Sequence, residues 1–258
     1  MISTHEAAGG YAHPASRFLT SMRMQAREYR DRWLMLLIVL ALPVVFFATS
    51  YYSTPAGGEL RPVSVPERTG VAEVYVEPRD TWSMGIGIMG VAWGVAAIAF
   101  FSVMGNLQRD RRLILSGYRP WQILLARLGI LAGVSVPLAV AGMAPYTLVT
   151  SSLHPELVWL ANFLGGLVAA GFGLLIGTLL PRPTEGTLIV ILVIGIGLSL
   201  GGDAKKYFFL YAPMQLLTIG RLAHDPWPYP YVGQSLAVLT AFLIPSLFLW
   251  WRRTRIVR

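Results

Sequence analysis

Cysteine is absent from this chain, and charge is scarce. With no Cys among 258 residues, disulfides and thiolate metal sites are excluded and the redox compartment leaves no trace. Only 13% of residues are Asp, Glu, Lys or Arg, against about 25% in a soluble domain. That is too little polar surface for a fold bathed in water. Histidine is rare as well, at His5, His13, His154 and His224. None has a second ligand at helical spacing apart from His154-Pro155-Glu156, and the intervening Pro155 makes that segment a turn rather than a metal site. No Gly-x-x-x-x-Gly-Lys-Ser/Thr phosphate loop occurs, so the chain does not hydrolyse a nucleotide itself. A Gly-x-Ser-x-Gly nucleophile elbow is missing too. No carboxylate sits in the middle of an apolar run, where an ion-coupled carrier or a membrane-embedded enzyme would place its ion or proton ligand.

What is present is hydrophobic length. Fifty-five per cent of residues are hydrophobic, gathered in runs long enough to cross ~30 Å of hydrocarbon as helices. The expected spans are about Trp33–Tyr52, Trp82–Met104, Trp121–Val149, Leu157–Leu180, Thr187–Leu200 and Tyr231–Trp251. The first is at or beyond the usual length of a signal-peptide core, so it is expected to stay as a span. Pro43, Pro137 and Pro145 fall inside spans, where neighbouring helices can satisfy the freed carbonyls. Glycines crowd the second and fourth spans, which favours close helix–helix approach in lipid. The expected fold class is an all-α integral membrane bundle of six helices, residues 1–258 forming one transmembrane domain.

The net charge of +8 does not point to nucleic acid, because the basic residues lie at the ends of the apolar runs. Fifteen Arg or Lys fall in the N-terminus, residues 105–127, residues 181–186 and the C-terminus; six fall in the opposite loops. The positive-inside bias therefore places both termini in the cytoplasm, with a bacterial cytoplasmic membrane as the expected location.

Around the spans, residues 1–14 read as a flexible tail and 252–258 as a short cytoplasmic one. Residues 15–32 read as an amphipathic helix in the interface, with Arg17, Arg23, Arg27 and Arg30 reaching for lipid headgroups. Residues 53–80 form a proline-rich outer loop with a short alternating stretch, Val71–Val76, expected to be a small hairpin. After Gly201-Gly202, the apolar stretch Tyr207–Gly220 is too short to span and is expected to be a partly inserted hairpin.

One loop has more than topology in it. Residues 106–127 combine a basic cluster, a short amphipathic helix, a Ser-Gly turn with a tyrosine, and a Pro-initiated entry to the next span. A compact helix parallel to the membrane with these groups suits docking into a groove on a cytoplasmic protein. The candidate docking residues are Arg109, Asp110, Arg111, Arg112, Leu113, Ser116, Gly117, Tyr118 and Arg119, with a second contact expected from Pro181, Arg182 and Glu185.

This arrangement resembles the membrane subunit (permease) of type-2 ABC transporters. The resemblance covers Ala15–Arg258 and is most specific from Arg109 to Arg127, similar to the family's acidic-Arg, Leu-rich, small-turn and Arg-x-x-x-Ile-Leu-x-x-Lys/Arg pattern. The Gly-Thr-Leu-Glu stretch common in the family is shortened here and lacks Gly-Thr. The resemblance implies an amphipathic elbow helix, a coupling helix between spans two and three, and a re-entrant hairpin between spans five and six. It also implies an ATP-driven exporter: two permeases, as two copies or two related chains, pair around a path, and each docks a separate ATPase that binds ATP and Mg. This chain would bind no cofactor and catalyse nothing. An ion-coupled carrier and a membrane assembly subunit are the alternative readings.

Overall fold

A computed structural model describes residues 14–31, 33–180, 182–200 and 202–254. The expected tail at 1–14, apart from Pro14, which begins α1, lies outside that set, as do Pro181 and the last four residues. In chain order the elements are α1 (Pro14–Asp31), α2 (Trp33–Ser53), a hairpin of β1 (Arg61–Glu67) and β2 (Gly70–Val76), α3 (Pro78–Leu115), α4 (Pro120–Leu148), α5 (Pro155–Leu179), α6 (Pro183–Ser199), a short 3-10 helix (Gly202–Tyr207), α7 (Tyr211–Leu222) and α8 (Tyr229–Thr254). Helices α3, α4, α5 and α6 each begin on proline. There the missing N–H is one that the first turn could not pair anyway, and the fixed φ already suits a helix.

Five helices (α2, α3, α4, α5 and α8) are long and apolar enough to cross a membrane, so the chain is a multi-pass membrane protein. The sequence pattern predicts six spans. The fifth of these, α6, has 17 residues, roughly 25 Å of helix, and is short of the hydrocarbon thickness. It ends at Ser199, with Leu200 already extended, just ahead of the Gly201-Gly202 pair.

Helices α3 and α5 form the centre, with 78% of their most apolar stretch buried, whereas α8 and α2 lie at the edge with 17% and 22%. Glycine makes the central contact possible. A Cβ on Gly173 of α5 would collide with the backbone carbonyl of Ala96 on α3, and one on Gly177 would lie 3.1 Å from the Phe100 carbonyl. Without side chains the two backbones touch directly, which is how helices associate where lipid removes the usual hydrophobic drive.

Helix α7 runs antiparallel along the first half of α5. Gly220 lies against Leu157 and Val158, Pro213 against Gly165, and Phe209 stacks on Phe172 with centroids 5.0 Å apart. The hairpin at residues 61–76 was legible from its alternation only along β2. It sits over the end of α7: Val65 packs on Ile219 and Ala223, the His224 N–H donates to Glu67 Oε1 at 2.9 Å, and the Arg68 N–H donates to the Asp225 carbonyl at 3.1 Å. The bundle thus has a hairpin end and, opposite it, an arginine-rich end where α3 turns into α4.

Helix α1 packs on α4. Gln25 is buried there, its Nε2 3.5 Å from the Ile123 carbonyl, and a Cβ on Gly129 would sit 3.2 Å from Met22. Arg23, Arg27 and Arg30 are exposed; the Arg17 side chain lies outside the described residues.

Candidate functional site

The docking candidates cluster at the arginine-rich end, where α3 meets α4. Here the structure corrects the expected architecture. Among the described residues no separate helix lies across the end of the bundle: residues 106–115 continue α3, which runs unbroken for 38 residues, roughly 57 Å. Between Gly105 and Leu115 nothing breaks a helix, since Asn, Gln, Leu, Ile, Asp and Arg all tolerate it and proline is absent. A helix of that length exceeds the ~40–45 Å of a whole bilayer. The turn is therefore carried on a stem and not on a crossbar.

The turn itself is built by backbone geometry. The Tyr118 N–H donates to the Leu113 carbonyl at 3.1 Å and the Gly117 N–H to the Ile114 carbonyl at 3.0 Å. These two bonds are the Schellman pattern that ends a helix, and it needs a left-handed residue after the cap. Gly117, at φ 90°, is that residue; any other would carry a Cβ into a crowded conformation. Two residues later the Arg119 N–H donates to Gln122 Oε1 at 3.1 Å, which satisfies an open donor at the start of α4. Four residues, 116–119, thus separate helix end from helix start, and each has its backbone N–H hydrogen-bonded.

On this turn Arg111, Arg112, Leu115, Ser116, Gly117 and Arg119 are exposed, and Arg109, Leu113 and Tyr118 are half-buried. Asp110 is not a surface residue, contrary to the sequence reading. It is buried, and Arg127 Nη2 of α4 lies 2.8 Å from its Oδ2, with the two side chains 2% and 3% exposed. The Arg127 guanidinium also stands over the ring of Trp250 in α8, 5.5 Å from its centroid, and Trp250 is fully buried. A charge that cannot reach water must be neutralised where it sits; the ion pair does this and joins α3, α4 and α8 beneath the turn.

In the sequence, Arg127 reads as a topology charge and the end of the Arg119–Arg127 pattern, and Arg253 as a topology charge alone. Arg253, three residues past Trp250, donates from Nη1 to the carbonyls of Gly177 and Thr178 at 3.1 and 3.2 Å, and from Nη2 to that of Leu180 at 3.4 Å. It covers the open carbonyls at the end of α5, where the helix dipole favours a cation. Spacing along the chain held no signal for either contact, because the partners are far apart in sequence.

The second set of candidates is not brought to the turn. Arg182 and Glu185 pair with each other at 3.1 Å on the surface at the start of α6. Gly186 beside them packs on Phe100, fifteen residues before the end of α3 and so roughly 22 Å from the turn. His154 Nδ1 and Glu156 Oε1 are 3.2 Å apart and exposed. Among the described residues no group of three His, Asp or Glu side chains could hold a metal ion.

No protein-family model matches the chain, and no curated protein matches it either.

Proposed function

We propose that this protein is the membrane subunit of an ATP-driven exporter of the type-2 ABC class. Its drive is delivered by a separate cytoplasmic ATPase at the α3–α4 turn. The observation that carries this reading is the turn: a rigid, exposed, arginine-bearing knob on a helix long enough to project beyond a bilayer, with a buried Asp110–Arg127–Trp250 joint beneath it. Such a knob has no use in ligand chemistry but is suited to receiving a push. A partner that binds it differently in two nucleotide states biases the bundle between two arrangements. Arg111, Arg112, Ser116, Gly117, Tyr118 and Arg119 form the docking face; Asp110 positions it from below.

In this reading the arginine-rich end is cytoplasmic, α1 is the interfacial elbow with its exposed arginines toward lipid headgroups, and α6 with α7 makes the fifth crossing and a re-entrant hairpin. The antiparallel run of α7 down half of α5 supports that last assignment. A second permease, a copy of this chain or a related one, completes the path.

Co-purification tests the reading. The intact chain should bring down a nucleotide-hydrolysing subunit from its native membranes. The pair Arg111→Glu and Arg112→Glu should insert and melt like the parent while losing that subunit. If the chain, alone in vesicles, drives cargo uphill, or if the charge-reversed protein retains its ATPase partner, the proposal fails.

A further inference from the structure

A cavity at the hairpin end has the composition of a binding site and no role in the docking scheme. It lies where α6 has stopped and α7 has not yet begun, enclosed by β1, the first turns of α3, the 3-10 helix and α7. Two adjoining lobes of about 240 and 320 Å³ share Thr81, Gly85, Lys205 and Met214. Arg61 lines one lobe beside Lys205, and Ser64, Gln215 and Thr218 line the other. No carboxylate lines either lobe.

The charges are the first argument. Arg61 and Lys205 form no ion pair among the described residues, whereas the neighbouring Lys206 is held by Asp203 at 2.7 Å. Two cations facing one cavity without a counter-charge repel each other, and an anion between them relieves that repulsion. The second argument is the floor. Met84, Met214 and Leu217 are buried beneath the polar rim, and the outer part of α6 beside it presents the exposed aliphatics Leu192 and Ile196. A charged rim over an apolar floor at the edge of a membrane bundle matches a molecule with an anionic head and a hydrocarbon body. The third argument is space. A Cβ built on Gly85 meets nothing within 4 Å, although at Gly87, two residues along, it would strike the Tyr146 hydroxyl. Room has been left at Gly85.

We infer that this cavity binds the oxyanion head of an amphiphile, a phosphate or phosphodiester, between Arg61 and Lys205, with its apolar part on Met84, Met214 and Leu217. This goes beyond the exporter reading and does not rest on it, because the binding is an equilibrium property of the chain alone.

The test uses the purified full-length chain in zwitterionic nanodiscs doped with phosphatidylglycerol, with phosphatidylcholine as the control and inorganic phosphate as a competitor, and counts bound lipid by native mass spectrometry. The parent should retain phosphatidylglycerol over phosphatidylcholine by about tenfold or more, given the attraction of two basic side chains near a membrane surface. Arg61→Gln with Lys205→Gln, both at exposed positions, should reduce the preference to within about twofold. Gly85→Leu should fill the cavity and release the lipid with both charges intact. Competition by millimolar inorganic phosphate would assign the site to a free oxyanion as well; its failure to compete would assign the site to the lipid head. Equal retention of the two lipids by the parent, or an unchanged preference in both variants, would overturn the inference, and neither result bears on whether an ATPase docks at the opposite end.

Discussion

The two ends of the bundle are held by the same three kinds of side chain, assembled to different tightness. At the arginine-rich end Asp110 of α3, Arg127 of α4 and Trp250 of α8 form a sealed group, with the ion pair at 2.8 Å. At the hairpin end Asp80 of α3, Arg221 of α7 and Tyr146 of α4 meet in the same way. There, however, the ion-pair distance is 3.7 Å and Asp80 is 28% exposed; Arg221 Nε and Nη1 have no hydrogen-bond partner, against Nη1 alone on Arg127. The two aspartates lie thirty residues apart on one helix, roughly 45 Å, so α3 works as a rod pinned at both tips. The short, sealed pair ties the α3–α4 turn to the bundle, whereas at the far tip α7 is tied to α3 by a longer and wetter one. The contrast teaches that the two tips of one helix are fastened with different tightness.

The comparison breaks most sharply at Asp110. Asp110→Asn leaves the Arg127 charge buried without a counter-ion, a situation that costs about 3–5 kcal/mol. A large fall in apparent melting temperature in detergent is expected, along with loss of monodisperse protein by size exclusion. Replacing both partners, Asp110→Leu with Arg127→Met, should recover most of that loss, since an apolar pair of similar volume needs no desolvation. A single variant that melts like the parent would show that the joint carries no stability.

This joint also marks how far the sequence could be read. Five of the six expected spans were legible because bilayer thickness imposes a length and lipid forbids charge, and both constraints act along the chain. The proline starts at Pro120 and the break before Gly201-Gly202 were legible for the same reason. The continuation of α3 was not. The segment around Arg109 to Arg112 reads as a separate helix lying along the membrane because charges usually mean solvent, yet a helix leaving the membrane carries charge on its exposed faces and can bury one carboxylate on its inner face. Nothing local tells Asp110 from its neighbours; what buries it is Arg127, seventeen residues away, and Trp250, on the last helix. The same rule held for Arg111, Arg112 and Arg119, which are exposed.

A smaller loss is expected at Arg253, which closes the end of α5 from α8. Arg253→Ala removes donors from the carbonyls of Gly177, Thr178 and Leu180, worth about 1–2 kcal/mol at a helix C-terminus. Hydrogen exchange should quicken in the last turn of α5 and leave the hairpin end unaltered. Uniform exchange across both ends would mean that the two tips are not separate units. Smaller still is the effect at Tyr146, whose hydroxyl donates toward the carbonyls of Met84 and Ser83 at 3.0 and 3.1 Å. Tyr146→Phe removes one shared proton and should cost about 1 kcal/mol, seen as a modest fall in melting temperature.

The finest test lies at the loose pin. Arg221 is 97% removed from solvent by its 3% exposure, but its one carboxylate partner is distant and partly wet. Arg221→Met keeps the volume, removes the cost of burying a guanidinium with two unpaired nitrogens, and leaves behind an aspartate that water can reach. The expected change in stability is therefore within about 1 kcal/mol of zero and can be favourable. Arg127→Met, the same substitution at the tight pin, takes away the guanidinium that lies 2.8 Å from the buried Asp110 carboxylate and should lower the melting temperature further than Arg221→Met does. Melting the two arginine variants side by side decides the matter: equal losses would mean that both ends are locked alike.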